Sequence, residues 1–466
     1  MTEQHSGMVA HVTAAVTAVR HAADLRILFD LDARRDALNQ LENFLIAHTD
    51  TLTEALANDL GKSPTEAWST EIGFTINQIR DARDHLEQWA APRKVKVPLT
   101  MRPGRARIVP QPLGAVCIIA PWNYPVQLTL APLVAALAAG NTAVIKPSEI
   151  APATEAVLAS HLERYLGDYV SVVTGGAETV TELLTHRFDH IFYTGNGRVG
   201  RIVMGAAAQH LTPVTLELGG KSPAVVTARA DIDIAARRIA WGKFVNAGQT
   251  CVAPDYVLVE RSVRDRFVEQ LRISIERFFG EDPSLSPDYG RIINGRHLSR
   301  LIDLLDDPGA GQVITGGLAN PTTRYLAPTV LIDTANDSAL MDDEIFGPIL
   351  PVLSFDDLEE AIAAIGARPH PLALYVFSTD DHEVDRVLAH TSSGGALVNH
   401  TLLHLAVEGL PFGGVGESGM GSYHGCAGFD TFSHLRSVYA RPTKPDPKVM
   451  YPPYGSIKQR ILRRLL

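Results

Sequence analysis

Cysteine is scarce in this chain of 466 residues: only Cys117, Cys251 and Cys426 occur, far apart in sequence. That excludes a disulfide framework and any Cys-rich zinc or iron–sulfur module, and it is the usage of a reducing compartment, so a cytoplasmic protein is expected. A basic excess is also missing. Forty-two Lys and Arg face 52 Asp and Glu, a formal net charge of -10. No chain-wide footprint for nucleic acid exists, and none is expected as a partner. Long apolar runs are missing too. The longest, Leu128 to Ala139, is broken by Pro132 and falls short of the ~20 residues that a bilayer crossing needs. The start, Met1-Thr2-Glu3-Gln4-His5, lacks the basic and apolar parts of a secretory signal.

What is present is the texture of a folded protein. Hydrophobic residues make up 45% and charged ones 20%, which excludes a disordered chain. The first 90 residues carry helical periodicity, with Leu38, Leu41, Leu45 and Leu52 on one spacing and a second run from Phe74 to Trp89. Pro92 and Pro98 bracket a basic extended piece, Arg93-Lys94-Val95-Lys96-Val97, read as a strand or arm. From about Ile108, short apolar runs alternate with helical ones: 115–119, 128–139, 142–145, 154–165 and 170–173. Strands that are apolar throughout belong in a parallel sheet covered on both faces, so the fold class is α/β. A second α/β stretch starts near Ser222 and runs past Phe377, and the tail from Leu410 is rich in Gly, Pro and His.

Several motifs dissolve on inspection. Gly61-Lys62-Ser63 and Gly220-Lys221-Ser222 resemble phosphate loops, but the glycine required five places earlier is Leu56 in one and Thr215 in the other. His400 and His404 are four apart, yet no Glu follows His400 and no third ligand is evident, so no metal is expected. Gly195-Asn196-Gly197-Arg198-Val199-Gly200 is sharper. It follows a strand-like run, 191–194, and precedes a helical one, 202–209, the setting in which a glycine turn holds a pyrophosphate at a helix N-terminus.

The chemistry gathers at Cys251, in Asn246-Ala247-Gly248-Gln249-Thr250-Cys251. Small neighbours leave the sulfur reachable, and a thiolate nucleophile calls for backbone donors or a positive neighbour to lower its pKa. Cys117, inside an apolar strand, reads as an inert buried thiol. Asn123, in Pro121-Trp122-Asn123-Tyr124-Pro125, ends a strand and offers an amide donor. Lys146-Pro147-Ser148-Glu149 ends another with a cation and an acid. Glu217 lies between Leu216 and Leu218 before two glycines, where burial raises a carboxyl toward base chemistry. By spacing alone Glu217 also suits a ribose-binding acid.

Six blocks in order carry a resemblance over roughly residues 24–454: 121–125, 146–149, Leu-Glu-Leu-Gly-Gly-Lys at 216–221, Gly-Gln-Thr-Cys at 248–251, Glu-Ile-Phe-Gly-Pro at 344–348, and Leu-Pro-Phe-Gly-Gly-Val-Gly at 410–416. The chain resembles the aldehyde dehydrogenases, of the class-3 type by Thr391-Ser392-Ser393-Gly394-Gly395 and Ser422-Tyr423-His424-Gly425. The resemblance implies NAD(P)-dependent oxidation of an aliphatic or aromatic aldehyde to the acid. It makes Cys251 the nucleophile, Asn123 and the Cys251 N–H the oxyanion donors, and Glu217 the activator of the hydrolytic water rather than a ribose ligand. Lys146, Ser148 and Glu149, the 195–200 turn, Glu344 and Phe346 would contact the cofactor, NAD with NADP as a second candidate. Tyr124, Val245 and Phe412 would wall an apolar substrate pocket. Gly197 departs from the family's turn, which puts the local fit of the pyrophosphate in question.

The implied architecture is a Rossmann-type NAD-binding domain over 1–218, with 90–108 lending an oligomerisation arm, then a catalytic domain over 219–410. Residues 411–466 return to the cofactor and oligomerisation regions. The arm adding a strand to a partner's sheet implies a homodimer. Two other functions stand beside this one: CoA-acylating or esterase-like use of the same cysteine, against which Glu217 argues, and a non-catalytic binding protein of the same fold. At the carboxyl end, Ile457, Ile461, Leu462, Leu465 and Leu466 share one helical face, flanked by Lys458, Arg460, Arg463 and Arg464. A basic amphipathic end of this kind suits weak peripheral contact with an anionic membrane.

Overall fold

The computed structural model describes residues 3–465. Five strands of the first sheet are parallel, and their order is 214–217, 190–194, 115–119, 142–146 and 170–172, with the two-residue strand Gly419–Met420 antiparallel on the first edge. Ala115–Ile119, Thr142–Lys146 and His190–Thr194 are buried at every position, which is why they are mostly apolar with no alternation of polar residues. The chain steps outward from the central strand Ala115–Ile119 through 142–146 to 170–172, then resumes on the other side with 190–194. That reversal opens a crevice beyond the carboxyl ends of the strands, where α/β sheets bind ligands.

The helix Gln127–Ala139 is buried all round and tolerates Pro132 in its interior. Gly140 ends it in the left-handed region (φ +90°), and a Cβ there would meet the Arg34 guanidinium at 2.7 Å. Asn141 follows, and its side chain ties three segments together. Its Oδ1 accepts from the N–H groups of Leu113 and Gly114, while Nδ2 donates to Ala136 and Phe432.

A second sheet has the order 312–315, 329–332, 349–355, 256–260, 223–226, 373–377 and 395–398, parallel except at its first strand. The third is an antiparallel ribbon of Arg93–Val95, Arg105–Pro112 and Ser433–Ala440. Arg93 pins it to the helix Gly425–Thr431 through both oxygens of Asp430. The expected arm therefore has strand structure at Arg93–Val95, on one edge of the ribbon, with the tail strand Ser433–Ala440 on the other side of Arg105–Pro112.

His400 and His404 lie on different local structure: His400 in an irregular stretch and His404 in the short 3-10 turn Leu403–Ala406. Among the described residues, no cluster of three or more His, Cys, Asp or Glu is arranged to hold a metal ion. Ser456–Leu465 is helical, with Ile457 and Ile461 exposed; Leu466 and the Leu465 side chain lie outside the described residues. No described helix is long and apolar enough to cross a membrane.

Candidate active site

The turn after Ala115–Ile119 delivers Asn123, which is buried. Its main-chain oxygen accepts from Lys62 Nζ at 3.1 Å and from Asn246 Nδ2 at 2.8 Å. Its side-chain Nδ2 donates to the Gln249 carbonyl at 3.1 Å. A primary amide has two N–H donors, so one is left for a ligand atom. Next to it, the Tyr124 hydroxyl and Thr250 Oγ1 are 2.7 Å apart, which joins this turn to the cysteine loop.

That loop leaves the helix Ile232–Phe244 through three successive left-handed residues, Asn246 (φ 53°), Ala247 (φ 50°) and Gly248 (φ 74°). Such angles cost a non-glycine residue about 1–3 kcal/mol and persist only where the surroundings impose them. Gln249 supplies the constraint: Nε2 donates to Asn246 and Arg291 carbonyls, and Oε1 accepts from Ile293 N–H. At Gly248 a Cβ would lie 2.3 Å from the Gly347 carbonyl, so no larger residue fits. Cys251 follows, half-buried on a rigid loop.

Its electrostatics run against the expected positive neighbour. Burial, then the carboxylates of Glu344 and Glu217, push the Cys251 thiol well above its usual range, and the N–H groups of Cys251 and Val252 oppose them only in part. Cys117 is simpler: full burial alone raises it to about 12.

Glu217 ends the strand Val214–Glu217 and is buried with no partner on either carboxylate oxygen. Burial raises it well above an ordinary carboxyl. Glu344 comes from the other sheet's side and is raised to about 8, by burial first and by Asp255 next, against the Gly220 N–H, Lys221 and Lys243. Its carboxylate presses on Gly219, where a Cβ would be 2.0 Å from Oε2. Phe346, also left-handed (φ 50°), sets its ring edge-on to Trp122 at 5.3 Å. Lys221 braces this stretch by pairing with Asp255 at 2.5 Å and donating to the Asp343 carbonyl at 3.0 Å.

The remaining candidates line the crevice. Buried Lys146 pairs with the half-exposed Glu149 at 2.7 Å, and Ser148 is buried, its hydroxyl accepting from Ile150 N–H at 3.4 Å. The helix Gly197–Ala208 starts here rather than at Ile202, capped by Asn196, whose Oδ1 accepts from Val199 N–H at 3.0 Å. The first N–H groups of the helix, at Gly197 and Arg198, have no intrahelical acceptor, a setting that suits a phosphate. Gly195 is needed, since a Cβ would fall 2.2 Å from the Tyr193 hydroxyl. Gly197 is not: it has an ordinary φ and only the flexible tip of Arg201 at 3.0 Å. Arg198 is exposed, and Gly200 packs under Leu218. An anion cradle, a lysine–acid pair and Glu344 over a glycine bed thus fit a dinucleotide stretched across the strand ends.

Sequence reasoning passed over Lys62, Glu66 and Glu71, which hold the two loops from below. The available signal was Gly61-Lys62-Ser63, set aside as a failed phosphate loop. One prediction follows from the Glu344 charge. Above pH 8 it is ionised and disfavours the Cys251 thiolate, so Glu344→Gln lowers the thiol pKa. Alkylation of Cys251 by iodoacetamide, followed by mass spectrometry before cofactor is added, is expected to run several-fold faster in the variant at pH 9 and to converge with the parent below pH 7. Equal rates across that range would contradict it.

Comparison with known proteins agrees with this geometry. The model of the aldehyde dehydrogenase family matches residues 1–438. The chain is 46% identical to the 4,4'-diaponeurosporen-aldehyde dehydrogenase of Staphylococcus aureus over 91% of its length and 93% of that protein. It is 48% identical to the dimeric NADP-preferring aldehyde dehydrogenase of the dog, over 91% and 93%. The solved substrate-bound state of Staphylococcus aureus AldH superposes with a TM-score of 0.94 at 43% identity, covering 98% of this chain and 99% of that one. With those blocks placed around one crevice, the chain belongs to the aldehyde dehydrogenase family.

Proposed function

We propose that the chain performs NAD(P)-dependent oxidation of an apolar aldehyde to its carboxylic acid by covalent catalysis at Cys251. The observation that carries this reading is a buried carboxylate, Glu217, with two unpartnered oxygens and a field felt at the Cys251 sulfur. Cys251 Sγ adds to the aldehyde carbon, and its proton is released to solvent water. The free hydrogen of the Asn123 amide and the Cys251 N–H hold the oxygen that becomes negative. Each donor aimed at such an oxyanion is worth about 10²–10³ in rate. The chemistry that NAD(P) supplies when bound is a cationic ring and acceptance of a hydride from that carbon, which leaves a thioester on Sγ. Glu217 then takes a proton from water as its oxygen attacks the thioester, and the acid departs with the thiol restored. CoA as acceptor would need no such base, and a non-catalytic protein no unpaired buried acid.

Lys146, Ser148 and Glu149 serve the adenosine ribose, the 195–200 turn the pyrophosphate, and Glu344 with Phe346 the nicotinamide end. Residues 1–218 act as the cofactor domain and 219–410 as the catalytic domain, with 411–466 returning to the first sheet and the ribbon. Tyr124, Val245 and Phe412 line the aldehyde pocket, and the sparse cysteine usage supports a reducing, cytoplasmic setting.

Cys251→Ala is expected to abolish turnover while leaving NAD affinity, read by fluorescence titration, unchanged. Glu217→Gln keeps a stoichiometric burst of NADH in stopped-flow absorbance but loses about 10²–10⁴-fold in steady turnover. Weakened cofactor affinity with normal steady turnover would return Glu217 to the ribose-binding role. The exposed edge strands Gly395–Val398 and Ser433–Ala440 suit pairing between two copies, so light scattering at working concentration is expected to give a dimer; a monomer mass contradicts it. The helix Ser456–Leu465, with exposed Ile457 and Ile461 beside Lys458, Arg460, Arg463 and Arg464, makes weak contact with anionic lipid. Co-sedimentation with phosphatidylserine vesicles is expected to fall when residues 456–466 are removed, and equal binding disposes of the contact.

A further inference from the structure

The segment Gly61–Ile72 meets both loops of the reaction centre, and none of the chemistry above uses its charges. Lys62 and Glu71 form an ion pair at 2.5 Å with both side chains wholly buried. Their other polar contacts go to the Asn123 turn. Lys62 Nζ donates to the Asn123 carbonyl at 3.1 Å and sits 3.8 Å from the centre of the Tyr124 ring. Glu71 Oε2 accepts from the N–H groups of Val126 at 2.9 Å and Gln127 at 3.0 Å. The pair therefore grips the turn on both sides of Tyr124-Pro125. Four residues after Lys62, Glu66 accepts from Asn246 N–H at 2.8 Å, and Asn246 Nδ2 returns to the same Asn123 oxygen at 2.8 Å.

The backbone shows a second, independent sign. Glu71 lies in a five-residue π-helical turn, Trp68–Ile72, set between the helices Pro64–Ala67 and Gly73–Ala90. Such insertions are rare and gather at functional sites, where they re-aim a side chain. A buried ion pair adds little net stability over apolar residues of the same volume, so stability alone does not explain this one.

We propose that Lys62 and Glu71 are positioning residues for the oxyanion donor: they fix the Asn123 turn so that its free amide hydrogen points at the oxygen formed when Cys251 adds to the aldehyde. This rests on the reading of Asn123 given above. Neither side chain touches the reacting atoms. They act through the Asn123 carbonyl and the Val126 and Gln127 amides, and a donor held loosely forfeits part of the rate that the donor brings.

The test uses the full-length protein with NAD(P) and an aldehyde, and reads the rate of the NADH burst. Lys62→Met with Glu71→Gln removes both charges together and keeps an oxygen for the two amides. The double variant is expected to slow the burst by about ten-fold, a fraction of what a whole donor brings, with the aldehyde KM, NAD affinity and Cys251 alkylation each within about twofold. In an Asn123→Ala background the same pair of substitutions is expected to change nothing further, because the group being aimed is gone. An unchanged burst rate overturns the proposal, and so does an equal fall in the Asn123→Ala background, which marks a merely structural role. Should the double variant fail to fold, Glu71→Asp keeps the charge by Lys62 and shortens its reach to the amides, and the same comparison applies. If the unaltered protein forms no NADH with any aldehyde, the oxidation reading falls and takes this proposal with it; a normal burst in the unaltered protein separates the two failures.

Discussion

Two loops from different sheets must hold one geometry around a single sulfur atom, and a buried ion pair grips one of them while Glu66, on the same segment, holds the other. Lys62 and Glu71 are withdrawn from water completely. Charges so placed are tolerated only when each remaining polar direction is satisfied, and here the partners are the Asn123 carbonyl, two amides of the same turn and the Tyr124 ring. The clamp extends in both directions along the chain. Just before it, Asp59 accepts from Ala153 and Thr154 N–H at the start of the helix Pro152–His161. The carbonyls of Asn58, Asp59 and Leu60 accept from Arg324 and Arg291, far along the chain. Residues 58–72 thus tie three distant segments of the chain to the Asn123 turn and the cysteine loop.

Three other groups of the site are poorly compensated. Glu217 has no partner, Glu344 is raised to about 8 and so is only half ionised at that pH, and the Lys243 ammonium is buried without a hydrogen bond, its pKa lowered by that burial to about 8. These three groups lie on different segments; Glu344 and Lys243 act on each other, beside the close pair of Lys221 with Asp255. Unpaired buried charges are costly. A rigid scaffold that keeps them so is ready to answer a ligand carrying a positive ring, a developing oxyanion or a water molecule, because each would relieve one of those costs.

Much of this was legible in the chain. The short runs at 115–119, 142–145 and 191–194 are what a doubly covered parallel strand requires, and they became the centre of the first sheet. The blocks around Asn123, Glu217, Cys251 and Glu344 were legible as resemblance. What no spacing rule conveys is tertiary: a lysine nine residues before an acid gives no hint that both reach under a turn 60 residues later. The left-handed run at Asn246 and Ala247 was equally hidden, since neither side chain announces that angle and the constraint comes from Gln249 and the Gly347 carbonyl. His400 and His404, four apart, have the spacing of one helical face, but the chain bends at Thr401, whose hydroxyl donates to the Arg238 carbonyl.

The failed phosphate loop explains itself in the same terms. A lysine after a glycine serves a phosphate when the preceding backbone wraps an anion; here Gly61 (φ 68°) caps the helix Thr49–Leu60 and turns the chain inward. A Cβ on Gly61 would strike Arg291 at 2.8 Å, so the glycine serves the contact with Arg291 as much as the turn. The lysine it releases is driven under the Asn123 turn, where it finds a carboxylate from a π-helical insertion instead of an anion from solution. The same two letters thus give a structural cation rather than a ligand-binding one, and what decides between them is whether the loop before the glycine leaves its N–H groups free. In this chain they are spent on the carbonyls of the helix that precedes it.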